Sequence, residues 1–228
     1  MVNHPDDPMG FMYDQIVGKA AAPTIDKISG REVLDGQGFP TVEVEAYIFM
    51  YGKSEFLARA SAPSLDFCSN DDSYYVIDSG SSRFHQTGVR QAVSLVTSVL
   101  QPVMEHRRFF EQREIDTSIS GADGTPNHKK IGANATLATS AAIAIAASIV
   151  LRVPLYRHLA KTIANRDTLT LPRPIFSFFN IPSGPISRVF LLPSPTASVE
   201  DQVRIVGEIY QHYESAMHGP VYSNGAFV

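Results

Sequence analysis

Gly36-Gln37-Gly38-Phe39-Pro40-Thr41-Val42-Glu43-Val44-Glu45-Ala46-Tyr47-Ile48 is the stretch whose reading decides the fold. Two glycines and a proline mark a turn, and the residues after it alternate cleanly. Val42, Val44, Ala46 and Ile48 point one way, and Thr41, Glu43, Glu45 and Tyr47 point the other. That is the period of a half-buried strand. Phe56 to Ala60 is the expected returning strand of a hairpin, with Tyr51-Gly52-Lys53-Ser54 as its connection. From Pro63 to Ser82 the chain is rich in Ser, Asp and Asn and is expected to be loop, with a short strand at Tyr74 to Ile77.

Helical periodicity begins beyond that loop. Val89, Val93, Val96, Leu100 and Val103 recur at spacings of three and four, one apolar face, and Pro102 should disturb its last turn. A second helix is expected over Phe109 to Ser118, then a loop from Gly121 to Asn127. An Ala-rich helix runs from Asn134 to Leu151. The apolar segment is long enough to cross a membrane, but it is built from Ala, Ser and Thr with Gly132 and Asn134 at its start. A buried helix is therefore expected and no membrane span. A short helix begins near Pro154 and carries Leu155, His158 and Leu159. Past Thr168, Pro174 to Phe179 and Arg188 to Leu192 are expected as short buried strands. Ser198 then opens a helix with Asp201 completing a capping box. Val199, Val203, Val206, Tyr210, Tyr213 and Met217 form its expected apolar face. The order of strands, helices, then two strands and a helix predicts an α+β protein.

Composition narrows the function. In 228 residues, 44% are hydrophobic and 18% charged, and the net charge is −4. This describes an ordered globular chain, and the negative balance argues against a nucleic-acid partner. The lone Cys68 excludes an internal disulfide and argues against a cysteine-based metal site. Met1 to Asp14 holds three Asp and no Lys or Arg, so neither a secretory signal nor a transit peptide is expected. Residues 1–23 are expected to be an extension.

Three stretches together resemble enolase, the glycolytic hydratase acting on 2-phosphoglycerate. The first is Lys27-Ile28-Ser29-Gly30-Arg31-Glu32-Val33-Leu34-Asp35 continuing through Pro40-Thr41-Val42-Glu43-Val44, with Gly36-Gln37-Gly38-Phe39 where the family has Ser-Arg-Gly-Asn. The second is Asp123-Gly124-Thr125 through Gly132-Ala133-Asn134-Ala135, followed by Val153-Pro154-Leu155-Tyr156-Arg157-His158-Leu159-Ala160. The third is Leu171-Pro172-Arg173-Pro174 with Phe179-Asn180 and then Leu192-Pro193. The resemblance implies an enolase amino-terminal-like domain, an antiparallel sheet plus a helical bundle, over 24–165. Residues 166–228 would then be an incomplete ββα start of an enolase-type α/β barrel.

It also implies lost chemistry. Enolase removes a proton beside a carboxylate, which needs an acid, a base and divalent cations to hold the growing charge. The family's metal-binding serine falls on Phe67, and a phenyl ring cannot coordinate a hard cation. The histidine of the next family loop is deleted between Asn180 and Ile186. The family's Gln-Glu pair falls on Ser187 and Arg188, replacing a carboxylate by a guanidinium. A further catalytic glutamate falls on Asn224, an amide with no acid–base role near neutrality. The resemblance therefore implies a truncated pseudoenzyme with no catalytic residues, cofactor or metal.

Blander readings apply elsewhere. Asp35 and Glu32 are expected to cap a turn, and His158 to be structural. His212 and His218 are not at the usual metal spacing. Arg107-Arg108 and Lys129-Lys130 are read as solvated surface, and nothing near Cys68 lowers its pKa. The expected role is a structural or docking subunit of a larger assembly whose other subunits cover the open barrel edge. Intracellular sites fit, cytoplasmic or axonemal in a flagellum or cilium, or mitochondrial. The alternative is a regulatory partner of an active enolase through the family's dimer interface.

Overall fold

A computed structural model describes residues 22–64, 73–80, 82–180 and 188–217. By internal packing the chain divides into two units, Met1–Asp167 and Thr168–Val228.

In the first unit the alternating stretch is the middle strand of a three-stranded antiparallel sheet. The strands are β1 (Thr24–Leu34), β2 (Pro40–Met50) and β3 (Lys53–Ser61), in spatial order β1-β2-β3. Val42, Val44, Ala46 and Ile48 are all fully buried. The hairpin connection is shorter than the sequence suggests. Tyr51 and Gly52 alone form it, both at positive φ (53° and 79°), the backbone whose twist matches the flanking strands.

No strand was legible over β1, and the reason is physical. Its register shifts between Ile25 and Lys27, so its buried residues Ile25 and Ile28 are three apart and break the two-residue period. Gln101 secures the irregular point, accepting the Ile28 amide and donating to the Asp26 carbonyl at 3.2 Å. Gly30 also faces inward. A Cβ there would lie 3.2 Å from the Val96 Cβ and 3.3 Å from the Val93 carbonyl oxygen, so the strand and the helix above it approach as closely as backbone allows.

That helix is broken as Pro102 requires. It comprises α1 (Arg90–Leu95), a π-helical turn (Val96–Leu100) and α2 (Gln101–Met104). Pro102 has no N–H for the Ser98 carbonyl, and the turn before it widens so that the Gln101 amide reaches the Val96 carbonyl. Next come α3 (Gln112–Asp123), α4 (Ala133–Val150) and α5 (Leu155–Thr162). α3 runs further than expected, to Asp123, where Gly124 in the left-handed conformation (φ 70°) stops it. α4 has the length and apolarity of a membrane span, and its Ala135, Ala138, Ala142 and Ala146 are wholly buried against β2 and β3. Tyr74 to Ile77 is not a strand. Its groups bond instead to Asn127, Ala133 and Asn134.

The second unit holds β4 (Phe176–Asn180) paired antiparallel with β5 (Arg188–Leu191), and α6 (Val199–Met217). Ser198 caps α6, accepting the Asp201 amide at 3.1 Å and donating to the Asp201 carboxylate at 2.8 Å. The helix packs through Gln202, Val206, Tyr210 and Tyr213. The Tyr210 hydroxyl donates to the Ser177 carbonyl, and both rings stand edge-on to Phe178 at 5.4 and 5.2 Å. Val199 and Val203, expected on that face, are exposed. The tyrosines' pairing with Phe178 sets the rotation of the helix, leaving the two valines outside. Among the described residues the strands form an open two-stranded sheet and no closed barrel.

Candidate functional site

Asp35, Glu32, Asp123 and Asn134 of the motifs hold backbone in place. Asp35 follows β1 and accepts the amides of Gln37 and Phe39, both at 2.9 Å, closing the turn into β2 as expected of it. Glu32 is not in that turn. It lies opposite Val42 within β1 and accepts Arg83 at 2.6 Å and the Val89 amide at 2.8 Å. Burial pushes its carboxyl pKa up, but the Arg83 and Val89 hydrogen bonds outweigh that and hold it below the usual carboxylate range. Nothing in the sequence marks Arg83 and its neighbour Asp78, because they sit in a stretch with no periodicity. Asp78 accepts the amides of Arg90 and Gln91 at 3.2 and 2.8 Å.

The second motif builds a loop between α3 and α4. Asp123 is buried and accepts the Ile131 amide at 2.6 Å, the Thr125 amide at 3.0 Å and the Thr125 hydroxyl. Burial raises its pKa, but these donors prevail and lower it. Asn134 donates to the Val76 carbonyl at 3.0 Å and accepts the Val76 amide at 3.4 Å. His158 is buried on α5 with its Nε2 unpartnered. Desolvation lowers its pKa, partly opposed by Glu111. Of the basic pairs, Arg107 is more than solvated surface. It donates to the Val103 carbonyl at 2.6 Å and to Ser118 at 2.8 Å.

Most of the degenerate positions, Phe67, Ser187 and Asn224, lie outside the described residues, as do Cys68 and His218. Arg188 opens β5 and pairs in register with Asn180. Among the described residues no group of three or more His, Cys, Asp or Glu is placed to hold a metal ion. A phenylalanine, a serine and an arginine at positions 67, 187 and 188 do not make a donor set for a hard divalent cation, which wants several carboxylate or carbonyl oxygens.

An antiparallel sheet packed on helices, followed in the chain by an antiparallel strand pair and a helix, defines a mixed α+β class of protein. The family described as "Enolase, N-terminal domain" matches residues 25–159. The chain is also similar to "Enolase" of Ehrlichia chaffeensis (strain ATCC CRL-10679 / Arkansas), 31% identical over 194 residues, which is 82% of this chain and 44% of that protein. The chain belongs to the enolase family and spans less than half the length of the curated relative it matches.

Proposed function

We propose that the chain is a non-catalytic, enolase-like subunit docked in a larger macromolecular assembly. The observation that carries this reading is the set of exposed apolar side chains among the described residues after Thr168. Leu171 is 75% exposed, Ile175 65%, Val203 53% and Phe190 52%. Large apolar side chains exposed to this degree are suited to cover by a partner. Each strand of the β4–β5 pair also has one edge without a described strand partner, and open edges recruit further chains. Other protein subunits are the partners this surface suits, in a cytoplasmic, axonemal or mitochondrial assembly. Arg188 on β5, where the family carries a carboxylate, supports the absence of hydratase chemistry.

The match to the family's amino-terminal domain favours a second reading, since family members dimerise through it: pairing with an active enolase. Native size fractionation of an extract, with mass spectrometry of co-migrating proteins, separates the two. Migration with a very large complex supports the docking role. A small dimer with an active enolase supports the regulatory one, and hydratase turnover by the purified chain overturns both.

A further inference from the structure

Beside Tyr74 to Gly80 lies a cavity of about 480 Å³, lined by Tyr74, Ser79, Gln86, Gln91, Lys129 and Lys130, with Asp78 and the 76–77 backbone beneath. Its size is within the roughly 300–1,000 Å³ of small-molecule sites. Three separate segments build it, and each is fixed by bonds of its own. Tyr74 is pinned to the α3–α4 loop through the Asn127 carbonyl (3.0 Å) and the Ala133 amide (2.7 Å). Asp78 is pinned on the other side, its amide donating to the Gly88 carbonyl at 2.8 Å and its carboxylate taking the Arg90 and Gln91 amides. The Gly88 contact is tight, for a Cβ there would come within 2.5 Å of Asp78 Oδ2. The backbone beneath the cavity is therefore set before any ligand arrives, and only the exposed Gln86, Gln91, Lys129 and Lys130 side chains are left to order.

Two features of the lining point to an anion. Lys129 and Lys130 take part in no ion pair among the described residues. Asp78, the one carboxylate on the lining, already has both oxygens engaged by the Arg90 and Gln91 amides. Phe84, His85 and Gln86 are held in succession at positive φ (47°, 53° and 72°), a backbone that L-residues adopt only when the surroundings impose it. That turn brings Gln86 to the wall.

We propose that this pocket binds a small phosphate-bearing ligand, its oxygens held between the Lys129 and Lys130 ammonium groups and the Gln86 and Gln91 side-chain amides. Phosphate oxygens accept several bonds at once and suit such point charges. The test is calorimetric titration of the full chain with pyrophosphate and with citrate, at a constant ionic strength of about 0.1 M. Saturable pyrophosphate binding is expected, weakened about tenfold or more in the Lys129→Gln/Lys130→Gln variant. Arg152→Gln/Arg157→Gln removes the same charge away from the cavity and should change binding by less than about twofold. Circular dichroism of both variants confirms their fold. Three results overturn the proposal: no saturation by about 10 mM pyrophosphate, equal weakening in both variants, or citrate binding as tightly as pyrophosphate.

Discussion

At the residue scale, the acidic side chains of the family motifs hold up loops, and their charge is part of that support. Asp123 satisfies two amides and a hydroxyl while buried. Asp123→Ala leaves those donors unpaired and should cost about 2–4 kcal/mol by urea unfolding. Because the folded-state pKa values of Asp123 and Glu32 lie below their ordinary values, their stabilisation is complete above the unfolded carboxylate range. It is lost as pH falls through the depressed folded values. His158 acts at higher pH. Its folded pKa is also depressed, so the unfolded chain takes up the proton first and stability declines as pH drops below about 6.5. In His158→Leu that part of the pH–stability curve should flatten, as thermal melts between pH 5 and 8 would show. His85 lies mid-way in the left-handed run. His85→Gly should stabilise by about 0.5–1 kcal/mol, measured as a raised urea midpoint, by relieving a conformation that costs an L-residue about that much.

At the element scale, α4 meets the sheet through alanines. The buried sequence Ala135, Ala138, Ala142 and Ala146 keeps the helix axis close to β2 and β3, and little space is left between them. Ala142→Leu should therefore cost about 1–3 kcal/mol through overpacking, read from the chemical-denaturation midpoint. A separate close approach, of β1 to the π-helical turn, sets Gly30 beneath Val96. β2, β3, α4 and the capping box of α6 were legible in the sequence because each repeats a simple period or carries its own cap. β1 was not, because a bulge broke its period. The face of α6 was misread because Gln202 is buried, its Nε2 donating to the Ala197 carbonyl at 2.8 Å, while valines lie outside. Hydrophobicity alone does not set a helix's rotation when tyrosines with hydroxyl partners compete for the same side.

At the scale of the whole molecule, the exposed apolar side chains among the described residues after Thr168 are where the docking proposal can be put to the test. Val203→Lys with Phe190→Lys alters exposed positions and should leave folding within about 0.5 kcal/mol. Under the docking reading it should shift the protein from the large fraction to a small one on native fractionation. Unchanged migration would place the docking surface elsewhere.

The sequence by itself determined family membership and the α+β class, since motif order and the periods of strand and helix are written in residue identity. Only the tertiary structure decided what the polar groups do. Glu32 meets Arg83 across 51 residues, and Tyr74 meets the α3–α4 loop from far along the chain. Gln86, Gln91, Lys129 and Lys130 line one cavity although nothing in their spacing links them. Local periodicity reports which face of an element is apolar. Which distant loops that face brings together is set by packing, and packing is where the cavity was made.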